Sequence, residues 1–129
     1  MANKDAGLLT IRLGLGLLFL IAGLGKLIGA PLGPGIAGFS GMVWGSVVLA
    51  WLIALGELVG GISLFLGKGM KYATIWLAII MVGAIFIASI PSVASGQPMA
   101  LIGLLSNIVI LTGVVGLMMT GPGSISMDK

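Results

Sequence analysis

Four long runs of apolar residues, separated by short clusters rich in glycine and proline, set the pattern of this chain. They are placed at Leu8–Ile28, Val43–Leu66, Tyr72–Ile90 and Met99–Thr120. Each is close to the roughly 20 apolar residues that a helix needs to cross a bilayer. The breaks carry turn chemistry. The first is Gly29-Ala30-Pro31-Leu32-Gly33-Pro34-Gly35, running on to Gly41; the second is Gly67-Lys68-Gly69; the third runs from Pro91 to Pro98 through Ser95-Gly96-Gln97. The last run stops at Gly121-Pro122-Gly123, where glycine takes the helix-ending conformation and proline blocks continuation. The expected fold is all-α, a four-transmembrane-helix bundle, forming a single domain over residues 1–129.

Composition supports a lipid environment. Of 129 residues 59% are hydrophobic and only 7% charged, with a mean hydropathy of +1.29, whereas a soluble domain carries about 25% charged residues. A soluble core this apolar would have no polar surface to cover it. The absence of cysteine and histidine removes thiol–disulfide chemistry, iron–sulfur and haem ligation by those residues, and an ordinary zinc site, so no metal is expected.

The net charge of +3 and pI near 9.7 do not point to nucleic acid, because the basic residues are scattered at the flanks of apolar runs and read as topology signals. With four spans, Lys4, Arg12, Lys68, Lys71 and Lys129 fall on one side and Lys26 alone on the other. This bias predicts both termini in the cytoplasm, with Tyr72 and Trp76 near that interface and Trp44 near the opposite one. Lys4 followed by an apolar run has the look of a signal peptide. Arg12 and Lys26 bracket the run, however, and no A-x-A site follows, so a retained span is expected.

The polar residues inside the spans carry the candidate chemistry. Glu57 lies ten residues before Gly67, about 15 Å from the helix end and near the bilayer centre. A charge there costs roughly 2.5–3.5 kcal/mol even on the lenient insertion scale, so it must face protein or water, pair, or be protonated. Ala50, Ala54, Gly60, Gly61 and Leu64 share its helical face, and small residues let another backbone approach. On the first helix Arg12, Gly16, Phe19, Gly23 and Lys26 form one stripe. Arg12, about 6 Å inside the boundary, is the expected partner of Glu57; Lys26, placed about 20 Å above Glu57 by helix rise, is expected to reach the headgroups. Asn107 on the fourth helix falls about one turn above Glu57. The expected intramembrane polar cluster is Arg12, Glu57 and Asn107, with Trp51 as a pocket wall nearby. The plainer roles stand beside it: such a pair can simply fix helix register, Asn can bridge helices, and Trp51 can pack against helices or lipid.

At these residues the chain resembles a known family. Arg12 followed by Leu13–Leu27 (LGLGLLFLIAGLGKL), Gly33–Gly41 (GPGIAGFSG), Ala54–Gly67 (ALGELVGGISLFLG) and Gly121–Asp128 (GPGSISMD) are together similar to the DoxX family of small four-helix membrane proteins. The resemblance implies a bundle in a prokaryotic cytoplasmic membrane. It also implies association with membrane oxidoreductases, among them thiosulfate:quinone oxidoreductases and assemblies handling thiols, and a shared polar site at Arg12 and Glu57. Many relatives have a histidine in the third connection and a glutamate opening the fourth helix. Here that region reads Gly96-Gln97-Pro98-Met99-Ala100, which favours an accessory subunit over an independent enzyme.

Three functions follow as expectations. The first is an accessory subunit of an oxidoreductase complex that lines a pocket for quinone or lipid, with a partner supplying the electron carrier. The second is a structural subunit that packs a larger complex or homo-oligomer. The third is a small transporter in which Glu57 exchanges a proton for a cation, against which a fixed Arg12 beside Glu57 and the charge bias both argue.

Overall fold

The structure, a computed structural model, describes residues 4–29, 33–121 and 123. Its elements are α1 (Lys4–Ile28), α2 (Gly35–Met42), α3 (Val47–Leu66), α4 (Met70–Ala84), a π-helical segment (Ile85–Ser89), α5 (Ile90–Ala94) and α6 (Ala100–Thr120). By length and composition four stretches can cross a membrane: Lys4–Ile28, Val47–Leu66, Met70–Ala94 and Ala100–Thr120. The large side chains left outside, such as Leu17, Val59, Ile79 and Val109, form an apolar exterior consistent with a multi-pass membrane protein. Of the expected turn residues, Ala30, Pro31, Leu32 and Pro122 lie outside the described residues, as do Asp128 and Lys129.

Three boundaries lie four residues from the sequence reading. α1 begins at Lys4, one turn earlier than expected. The second span begins at Val47, because Trp44 and Gly45 take positive φ (59° and 73°) and Ser46 then caps the helix by accepting a hydrogen bond from the Leu49 N–H at 3.1 Å. The stretch before it, read as connection, contains the short helix α2. The third span runs through Pro91 rather than ending at Ile90. A proline inside an α-helix lacks an N–H and its ring crowds the carbonyl four residues back. Here the turn before Pro91 is widened to π geometry, with the Ile90 N–H bonded to the Ile85 carbonyl, and the Ser92 hydroxyl satisfies the Ala88 carbonyl at 2.7 Å.

α1 and α3 pack antiparallel, with their backbones in close approach at glycines. A Cβ at Gly61 would stand 2.8 Å from Leu20 N and 2.9 Å from Gly16 O, and one at Gly23 would stand 2.9 Å from Leu58 N. These contacts define the register: Gly16 lies against Gly61 and Phe65, and Gly23 against Ala54 and Leu58. On the other side of α3, the Trp76 indole fills the notch at Gly56 and Leu77 rests on Gly60. Phe19, Leu64, Met70, Leu77, Met81, Val114 and Leu117 then form the main core. A second cluster, Phe39, Val43 and Ala50, seats α2 against α3.

Candidate functional site

The α1–α3 register decides which charges meet. Moving seven residues along α1, from Gly16 to Gly23, moves seven residues back along α3. The α1 position level with Glu57 is therefore near residue 22. Arg12 is ten residues from that level, about 15 Å, whereas Lys26 is four residues away, about 6 Å and within reach of its side chain. Lys26 Nζ donates to Glu57 Oε2 at 2.8 Å. The expected Arg12–Glu57 pair is corrected accordingly: Glu57 pairs with Lys26, and Lys26 does not simply reach for headgroups.

Arg12 meets the end of α3 instead. Gly67 ends that helix in the left-handed region (φ 68°), and the N–H groups of Gly67 and Lys68 both return to the Ser63 carbonyl, at 2.8 and 3.1 Å. The next two carbonyls lack helical donors. Arg12 Nε donates to Leu64 O at 3.0 Å and Nη2 to Phe65 O at 3.3 Å. The guanidinium is 1% exposed and its charge lies at the negative end of the α3 dipole. This is a capping role at a level of the bundle separate from Glu57.

Glu57 and Lys26 border a cavity of about 300 Å³ enclosed by α1, α3, the third span and α6. Phe39 of α2 lies over the Lys26 ammonium, 5.1 Å from Nζ to the ring centroid, a cation–π distance. On the far wall Asn107 Nδ2 donates to Ser89 Oγ at 2.6 Å. Ser89 closes the π-helical segment, whose Ile87 and Ala88 line the cavity beside Gly83 and Ala84. Most of the wall is apolar, and Lys26, Glu57 and Asn107 supply its polar groups. Among the described residues, no buried side-chain nitrogen or oxygen lacks a partner, and no three His, Cys, Asp or Glu side chains gather in a way that could hold a metal ion.

Of the expected site residues, the structure brings Glu57 and Asn107 to this one cavity and places Arg12 at the α3 terminus. Trp51 does not join the cavity wall: it is 45% exposed on the outer surface of α3. Sequence reasoning passed over Lys26, Phe39 and Ser89 as site residues. The signal for Lys26 was present, since it shares the stripe of Arg12, Gly16, Phe19 and Gly23, four residues that are buried.

The geometry can hold a molecule with an apolar body and a hydrogen-bonding head. Lys26 donates, Glu57 accepts, and Asn107 offers a carbonyl oxygen beside its engaged amide. Residues 7–90 match the family model described as DoxX. No curated protein and no solved structure matches the chain.

Proposed function

Because the chain belongs to the DoxX family, whose model matches residues 7–90, we propose that it is an accessory subunit of a membrane oxidoreductase complex and that its cavity receives a quinone headgroup. The family is linked broadly to membrane oxidoreductases, and the observation that supports the finer reading is the cavity itself. It is mostly apolar, with a donor and an acceptor held together as the Lys26–Glu57 pair and Asn107 opposite. Ligand sites are typically apolar hollows of about 300–1,000 Å³ with a few placed polar groups. A quinone ring is flat and apolar and carries two carbonyl oxygens, which the ammonium of Lys26 and the second amide hydrogen of Asn107, the one not given to Ser89, suit as donors. The electron carrier belongs to a partner subunit, since no side chain here supplies one.

The reading is tested by titrating a soluble benzoquinone into the purified protein in nanodiscs. Saturable binding is expected, weakened about tenfold, or 1.4 kcal/mol, by Lys26→Met or Asn107→Leu, with Arg12→Lys binding as the parent does. Binding that never saturates, or that ignores both Lys26→Met and Asn107→Leu, overturns it. The accompanying orientation places Lys4, Arg12, Lys68 and Lys71 on the cytoplasmic side of a prokaryotic inner membrane, following the distribution of positive charge. A single cysteine introduced at Lys68 and protected from an impermeant thiol reagent in intact cells is the expected result.

A further inference from the structure

Two apolar hollows on the α1–α6 side of the bundle border the cavity described above. One is a groove of about 660 Å³ running past Leu8, Gly14, Gly113, Gly116 and Thr120; the other, of about 420 Å³, lies against Ile102, Leu105 and Ser106. Leu18 of α1 and Ile110 of α6 belong to the walls of both and to the wall of the cavity. The three hollows therefore meet at one pair of aliphatic side chains.

The hollows differ in chemistry. The cavity presents Lys26, Glu57 and Asn107. Among the described residues the larger groove holds two polar side chains, and both are turned to their own helix: Thr112 Oγ1 donates to Val109 O at 2.7 Å and Thr120 Oγ1 to Gly116 O at 3.1 Å. An apolar chain lies in such a groove without displacing hydrogen bonds. Gly14 and Gly116 have no atom within 4 Å of where a Cβ would stand, so their missing side chains leave open width. In the cavity the one positive and one negative charge among the described residues, Lys26 and Glu57, neutralise one another at 2.8 Å. A charged head would disturb that balance where solvation is poor.

We infer that the cavity and the α1–α6 groove form one continuous site for an uncharged amphiphile, with its oxygen-bearing head beside Lys26, Glu57 and Asn107, its long apolar tail in the groove, and Leu18 and Ile110 forming the threshold between them. The inference rests on the headgroup reading of the cavity and adds the tail, the route and the exclusion of charged heads. The ligand enters sideways from the lipid between α1 and α6 rather than from water.

The test compares two probes in nanodiscs: a benzoquinone without a side chain and the same ring carrying a decyl chain. The variant is Gly14→Leu/Gly116→Leu, which fills open space at both positions. Affinities are compared between parent and variant for each probe separately, so that partition into lipid cancels. The decyl probe is expected to lose roughly tenfold in affinity and the tail-less probe less than about twofold, a difference near 1 kcal/mol. Equal effects on both probes, or none on either, overturn the inference while leaving headgroup binding in place. Failure of both probes to bind the parent overturns the headgroup reading as well. A parent dimer that the variant abolishes, with the decyl affinity unchanged, assigns the groove to a second copy and also overturns it.

Discussion

Lys26, in the last turn of α1, reaches across the α1–α3 interface to hold Glu57, in the middle of α3, at 2.8 Å. The pair is unequally sheltered: the Lys26 side chain is 19% exposed and that of Glu57 5%. Breaking a buried pair from one side leaves an uncompensated charge, which costs about 3–5 kcal/mol, whereas replacing both members with apolar groups is often neutral. Lys26→Met is therefore expected to destabilise the protein by about 3 kcal/mol at the low end of that range. Lys26→Met/Glu57→Leu should recover most of it. Unfolding by titration with SDS in mixed micelles measures both, and equal losses in the single and double variants would count against the pairing.

Arg12 should act on a different part of the bundle. Arg12→Gln removes the charge that faces Leu64 O and Phe65 O, and loss of a charge-assisted hydrogen bond costs about 1.5–3 kcal/mol. The expected signature is local: faster amide hydrogen exchange around residues 65–68, with the amides beside Glu57 unchanged. Uniformly faster exchange along α3 would show that Arg12 supports the whole interface rather than its end.

Glycines in the α1–α3 interface and glycines in the α1–α6 groove should respond in opposite directions. Gly23→Ala and Gly61→Ala each place a methyl group within 3 Å of opposing backbone and are expected to lower the melting temperature by pushing α1 and α3 apart. Gly14→Ala and Gly116→Ala meet open space and should be neutral or gain up to about 1 kcal/mol from helix propensity. Thermal denaturation followed by circular dichroism distinguishes the sets; a matching drop at Gly14 would contradict the open groove.

Asn107 and Ser89 should be energetically coupled. Interhelical polar contacts in membrane proteins average about 0.6 kcal/mol and reach about 1.7. The 2.6 Å bond favours the upper part of that range. A double-mutant cycle with Asn107→Leu and Ser89→Ala measures the coupling, and a value indistinguishable from zero would remove the contact as a link between the π-helical segment and α6.

Much of the helix packing was legible in the pattern of small residues. Ala50, Ala54, Gly60, Gly61 and Leu64, read as the face of Glu57, are all buried with it. Arg12, Gly16, Phe19 and Gly23, read as one stripe of α1, are buried too. The partner of Glu57 was not legible, because a charge pair across two helices depends on their relative slide. The expectation takes the start of α1 and the end of α3 as level, whereas the register at Gly16 and Gly23 sets Gly67 level with Arg12 and carries α1 about two turns beyond it. That slide takes Arg12 away from Glu57 and brings Lys26 within reach of it. Phe39 was hidden because α2 lies in a glycine-rich stretch that reads as a connection. The π-helical segment was hidden because Pro91 reads as a helix end unless the preceding turn widens to admit it.

The division of charges between α1 and α3 bears on how the protein is made. Arg12 and Lys26 emerge from the ribosome with α1, while Glu57 and the carbonyls of Leu64 and Phe65 follow more than thirty residues later on α3. Until then α1 carries two cations whose α3 partners have yet to be synthesised, and placing them in lipid is costly. The first helical hairpin is thus the natural unit of insertion, and the insertion machinery must shelter α1 until α3 joins it.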